Sequence, residues 1–186
     1  TELHECYDSE AIQVVIVAVV SFLIAGHGKA LVYKQKQLTE STARVGAELN
    51  LATKIQADVL PSNFPAFPDR KEFDLFASMT PALDVGGDFY DFFLIDEDKL
   101  CIMIADVSGK GGPAALFMMT AKTMLRNLVL SGRTPAQAMQ LATVQLCENN
   151  EKGMFVTAWL GIVDVKTGEL TFANAGHEYP VLTAED

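Results

Sequence analysis

The first long run of the chain has no polar side. From Ala11 to Gly26, "AIQVVIVAVVSFLIAG", only Gln13 and Ser21 interrupt the apolar residues, which therefore cover every face of a helix rather than one stripe. A helix apolar all round fits a membrane. "ALVY", Ala30 to Tyr33, brings the run to the roughly 20 residues a bilayer asks for once Lys29 snorkels to the interface. The other reading is a helix buried in a core or in an oligomer. Acidic residues, Glu2, Glu5, Asp8 and Glu10, precede the run, unlike the basic start of a signal peptide, and Lys29, Lys34 and Lys36 follow it. The positive-inside rule then predicts a single-pass anchor within residues 1–33, with everything after Tyr33 in the cytoplasm.

From Lys34 to Leu60 the chain holds no proline and one glycine, and Leu38, Val45, Ala52 and Val59 recur every seven residues with Leu49 and Ile55 between them. That spacing predicts a helical linker over 34–60 with a weak heptad seam. The seam either pairs two chains into a homodimer or lies on the domain that follows. "LPSNFPAFPDR" ends the helix, because its three prolines lack backbone donors, and a new domain is expected over 61–186.

Beyond the prolines the period falls to two. "FDLFASM" (Phe73 to Met79), "DFYDFFLI" and "KLCIMIAD" read as strands, the last two joined by the solvated turn "DEDK" as antiparallel neighbours. Gly111 to Gly132 has proline near its start and glycine at its end, as helices do, and a second helix runs from Thr134 as N-cap to about Asn150. Strands return in "MFVTAWLGIVDV", "ELTFANAG" and "YPVLT", the first two linked by a "KTG" turn. Strands, two helices, then strands predict an α+β domain.

Composition narrows the chemistry. A formal net charge of −10 without clustered Lys and Arg excludes a nucleic-acid partner and points to a divalent cation. Cys6, Cys101 and Cys147 are odd in number and far apart, so neither a disulfide scaffold nor a zinc site is expected.

Two carboxylates stand out. In "VGGDFYDFF" and "IADVSGKGG", Asp88 opens one strand and Asp106 closes its antiparallel neighbour, so the hairpin brings them to one edge. Such a pair stays ionised when a cation sits between its members, and Mg²⁺ or Mn²⁺, with oxygen ligands and retained waters, suits it. The alternative is a glycine-rich hairpin whose acids cap turns. Other sites fail on spacing. Lys110 is followed by Gly111 rather than Ser or Thr, Ser108 has Asp106 where a nucleophile elbow has glycine, and His177 alone cannot complete a serine triad in the domain.

The ordered run "ELNLATKIQADVLP", "VGGDFYDFF", "IADVSGKGGPAALFM", "FVTAWLGIVD" and "FANAGHEYPVL" resembles the bacterial protein phosphatase 2C-like domains of the stage II sporulation protein E type, over Glu48 to Leu182. The resemblance implies an αββα sandwich and a serine/threonine phosphatase using two Mn²⁺ or Mg²⁺ ions. Asp88 would hold one metal, Asp106 would bridge both, and the Val107 main-chain carbonyl would be a further ligand. Asn174, Gly176 and His177 would form a turn near the site. The implied substrate is a phosphoprotein of the anti-anti-sigma factor type. Gly112 stands where the family often has valine. Asp186 precedes the family's later "TDG" and final acidic motif, so the expectation is a partial sandwich, C-terminally incomplete, behind a long N-terminal helix. A membrane-anchored, non-catalytic module with a degenerate phosphatase fold is the competing expectation.

Overall fold

A computed structural model describes residues 2–80, 85–148 and 150–183, with side chains from Gln13 onward. Glu2, Glu5, Asp8 and Glu10, on which the membrane orientation rests, and Cys6 therefore have side chains outside the described residues. The chain divides into two compact units, Thr1–Glu48 and Leu49–Asp186.

The first unit is helical throughout its described length, part of α1 (Glu2–Val59). The stretch from Gln13 holds an 18-residue window of mean hydropathy 2.1 with none of it buried, long and apolar enough to cross a membrane. Along the predicted seam, Leu38, Val45, Leu49 and Ile55 are all exposed.

In the second unit, α1 ends where Leu60 and Gln56 become buried. A four-stranded antiparallel sheet follows, in the order β1 (Phe89–Leu94), β2 (Lys99–Val107), β3 (Val156–Asp164), β4 (Leu170–Ala175). Between β2 and β3 run α2 (Gly112–Leu130) and α3 (Pro135–Cys147). Thr134 caps α3 in a reciprocal capping box with Gln137, and the helix ends at Cys147, shortly before the predicted Asn150. The α+β class predicted from the sequence is the observed one, here with both helices packed on one side of the sheet.

Strand alternation sorts the two faces. Phe89, Phe93, Cys101, Met103, Ala105, Val107, Ala158 and Leu160 bury against Ala114, Met118, Ala121, Leu125 and Val129 of α2 and Ala138 and Met139 of α3. Tyr90, Phe92, Ile104, Asp106 and Trp159 belong to the opposite parity. Trp159 stacks on Phe172 at 5.9 Å, and Phe92 meets Phe64 and Phe67 of the proline-rich segment.

Two expected strands are absent. Phe73–Met79 and Tyr179–Thr183 have no regular structure. Phe73 packs edge-on to Phe67, and Phe76 meets Phe64 while staying largely exposed, as do Tyr179, Val181 and Leu182. Neither stretch gains a ladder partner among the described residues, and without one alternation alone does not make a strand. "DEDK" is the solvated turn expected, with Asp96 accepting from the backbone of Asp98 and Lys99.

Among the described residues a buried ion pair, Asp91 with Lys122, lies in the core. Asp91, fully buried in β1, accepts from Lys122 Nζ at 2.9 Å and Arg126 Nη1 at 2.8 Å through Oδ2, and from the Phe92 backbone N–H through Oδ1. The Arg126 guanidinium also lies 4.0 Å from the Phe93 ring centre. Burial, reinforced by the Asp91 charge, pushes the nearby Cys101 thiol up to about 12, so it stays protonated and unreactive.

Removing only Asp91 leaves Lys122, 8% exposed, buried and unpaired. Asp91→Ala should therefore destabilise the domain by about 3–5 kcal/mol, the usual cost of breaking a buried ion pair from one side. Urea unfolding followed by tryptophan fluorescence measures it, and a loss of only a few tenths would show that the cluster is not a structural tie.

Candidate functional site

The sheet edge at the end of β2 collects the chemistry. Continuing the β1–β2 register one step past Phe89↔Ala105 sets Asp88 opposite Asp106, and Asp106 is itself paired with Thr157 of β3. Both aspartates are exposed, with the parity that points away from α2 and α3.

Glycine makes the approach possible. A Cβ on Gly87 would fall 2.8 Å from the Val107 carbonyl oxygen and 2.9 Å from the Val107 Cβ, so only glycine lets the segment before β1 pass the end of β2 this closely. The preceding residue is held from elsewhere. The Gln56 side-chain amide bonds the Gly86 main chain twice, Nε2 donating to Gly86 O at 2.5 Å and Oε1 accepting from Gly86 N at 3.0 Å. The Tyr90 hydroxyl donates to Pro61 O at 2.8 Å. The end of α1 thus clamps both sides of Asp88.

The loop after Asp106 is clamped in the same manner. Ser108 N donates to Phe155 O and Ser108 Oγ accepts from Phe155 N, both at 2.9 Å. Gly109 and Gly111 then take φ of 93° and 72°, turning the chain into α2. Ser108 is engaged as a latch of this loop. On the far side β4 ends in a turn at Gly176 that delivers His177, whose Nδ1 lies 3.0 Å from Thr157 Oγ1.

A hydrogen bond with the Asp106 carboxyl, followed by partial burial and the Asp106 charge, holds the Asp88 carboxyl above the usual aspartate range; His177 acts weakly the other way. This is the conflict expected of two opposed acids. A hard divalent cation would relieve it, and two carboxylates beside a main-chain carbonyl are the oxygen donors such a cation takes. Among the described residues no three or more His, Cys, Asp or Glu side chains converge closely enough to hold a metal ion by themselves. The acids open onto a cavity of about 510 Å³, room enough for a phosphorylated side chain.

The structure thus brings together Asp88 and Asp106, with Val107 beside them, and sets the 174–177 turn at the same edge. Gln56 escaped the sequence reading. Its only signal was a polar residue on the apolar side of the last helical turn, in "KIQADVLP".

Residues 96–186 match the family of stage II sporulation protein E (SpoIIE). The chain is 30% identical over 186 residues to Protein IcfG of Synechocystis sp., in an alignment taking in 81% of this chain and 28% of that protein. It is 30% identical over 157 residues to the phosphoserine phosphatase RsbU of Bacillus subtilis, covering 84% of this chain and 45% of RsbU. In three dimensions it matches the SiaA-PP2C domain of Pseudomonas aeruginosa with a TM-score of 0.58 at 28% identity, over 72% of this chain and 54% of that one. The chain spans less than half the length of these two curated relatives.

The raised Asp88 carboxyl has a consequence for the metal-free chain. The folded state holds that proton more tightly than the unfolded state does, so stability falls as pH rises from about 4, where ordinary aspartate ionises, through the raised folded value. Asp88→Asn should flatten that decline and leave the variant more stable than the parent at neutral pH, a small gain because solvent screens this exposed carboxyl. Calorimetric melts of both proteins in EDTA across pH 4–7 test this, and parallel pH profiles would refute it.

Proposed function

We propose, from the premise that this chain belongs through residues 96–186 to the SpoIIE family of protein phosphatase 2C-like domains, that it is part of a metal-dependent phosphoserine/phosphothreonine protein phosphatase. The observation that carries the reading is the register that sets Asp88 opposite Asp106 beside the Val107 carbonyl. RsbU, similar over most of this chain, is a phosphoserine phosphatase. A small regulatory phosphoprotein of the anti-anti-sigma type is the substrate we propose.

Asp88 and Asp106 would hold Mn²⁺ or Mg²⁺, with Asp106 shared between two ions and the Val107 carbonyl as a third donor. Bound ions would make a water acidic enough to supply hydroxide near neutral pH and would offset charge on the phosphoryl oxygens. The chain's own part is placement. The Gln56 and Tyr90 bonds fix the approach to Asp88, and the Ser108–Phe155 pair fixes the exit from Asp106. The hydrolysis needs no protein nucleophile: the water gives up one proton as its oxygen bonds phosphorus, the bond from phosphorus to the seryl oxygen breaks, and a proton from solvent in turn neutralises that oxygen, so that one water is consumed overall.

The proposed arrangement along the chain is an anchor within 1–33, a helical linker over 34–60 and a phosphatase domain over 61–186 on the cytoplasmic side. The apolar run of α1 supports the anchor. The exposed seam of Leu38, Val45, Leu49 and Ile55 supports pairing of two linkers in a homodimer. A second reading, a membrane-anchored module that binds a phosphoprotein without hydrolysing it, draws on the absence of a larger ligand cluster among the described residues.

Phosphate release from a phosphoserine protein in the presence of Mn²⁺ separates the two. Under the phosphatase reading Asp106→Asn, nearly isosteric but neutral, abolishes release. Ser108→Ala loses one loop hydrogen bond, about 1 kcal/mol of local stability, and keeps turnover. A dead serine variant beside an active aspartate variant would overturn the mechanism, and an inert parent that still binds the phosphoprotein would favour the binding module.

The anchor is tested by fractionation. The chain with residues 1–33 should sediment with membranes and be released by detergent, whereas the chain lacking them should not. Recovery of the longer form in the soluble fraction without detergent would remove the anchor from the proposal.

A further inference from the structure

The cavity beside the two aspartates is short of groups that can bind a phosphate. Its walls carry three carboxylates, Asp88, Asp106 and Glu178, and its side-chain donors are few. The Tyr90 hydroxyl is engaged by Pro61 O. The Thr157 hydroxyl lies between His177 Nδ1 at 3.0 Å and Asp106 O at 3.4 Å. Ser78 and His177 remain, and among the described residues His177 is the one side chain in the wall that offers a nitrogen.

The ring is held from two directions. Asn174 grips the main chain of His177, Nδ2 donating to His177 O at 2.9 Å and Oδ1 accepting from His177 N at 2.8 Å. Gly176, at φ 72° and bridged to Ala158, fixes the turn against β3. Thr157, the register partner of Asp106, then meets Nδ1. Because the turn is closed by main-chain groups and Asn174, the imidazole is not needed to form it. What the Thr157 contact accomplishes is to fix the ring's orientation, leaving Nε2 with no hydrogen-bond partner among the described residues.

We propose that His177 is a catalytic residue of the phosphatase, its Nε2–H donating a hydrogen bond to the phosphoryl group of the substrate. The proposal rests on the phosphatase reading above. Thr157 Oγ1 lies 3.0 Å from Nδ1 and donates to Asp106 O over the longer 3.4 Å. The proposed role takes the tautomer with the ring proton on Nε2, which Thr157 accommodates by turning its own proton to the nearer Nδ1. No proton is transferred in this role. A phosphoryl dianion entering among three carboxylates gains from a fixed donor because one preset before the reaction needs no reorganisation at the transition state.

The test compares side chains that place a donor differently. In Gln the amide nitrogen reaches the position of the imidazole Nε2, whereas in Asn it reaches only that of Nδ1. Binding of inorganic phosphate to the full chain, measured by titration calorimetry with Mg²⁺ present, should weaken roughly ten- to hundredfold in His177→Ala and His177→Asn, the range for one hydrogen bond to a charged group. His177→Gln should recover most of it, and phosphoserine turnover should follow the same order. Thr157→Val should weaken phosphate binding less than His177→Ala, with the ring still present but no longer held by the hydroxyl. Equal binding by parent and His177→Ala, or equal losses in the Gln and Asn variants, would overturn the assignment of His177 alone. A parent chain that takes up no phosphate would overturn the phosphatase reading and this assignment with it.

Discussion

The buried carboxylate of Asp91 is the tie on which the rest of the second unit depends. It sits on β1 opposite Met103, facing the helices, and only with that parity can it reach both Lys122 and Arg126 on α2. A slip of one residue between β1 and β2 would turn Asp91 to the other face and leave two cations without their partner. The cluster is thus a register device more than a source of net stability, since a buried ion pair gains little over well-packed apolar residues but strongly disfavours arrangements that break it. The same register decides where Asp88 falls.

With the register set, the site is assembled by side chains that bond backbone. Gln56 and Tyr90 hold the entrance to β1 from the end of α1, and Ser108 ties the exit of β2 to Phe155. Asn174 performs the corresponding task for the turn that presents His177. The Gln56, Tyr90 and Ser108 bonds join segments far apart in sequence and act within two residues of an aspartate, whereas the Asn174 bonds are local to its turn. A pair of carboxylates that repel can be kept face to face only by such ties, and the raised Asp88 carboxyl reflects that opposition.

Much of this was legible in the chain itself. Periodicity placed both helices, the β1–β2 hairpin and the β3–β4 strands, because a 19-residue α2 or a nine-residue β2 carries its own pattern and punctuation. It failed at Phe73–Met79 and Tyr179–Thr183, where alternation is present but the ladder partner is not. A strand needs a neighbour's backbone, which its own residues do not specify.

The candidate site divides along the same line. Asp88 and Asp106 were readable because a short hairpin of opposite strands maps sequence positions directly onto one edge, with glycines shortly before Asp88 and shortly after Asp106. Gln56, Thr157 and the orientation of His177 were not. Gln56 meets Gly86 across 30 residues and Thr157 meets His177 across 20, contacts that exist only after α1 has docked and β3 has paired with β4. The sequence by itself determined the local elements, the two acids and the family pattern, because these depend on spacing along the chain. The partners that hold the acids in place were decided by the tertiary structure, because hydrogen-bond geometry between distant segments is set by packing.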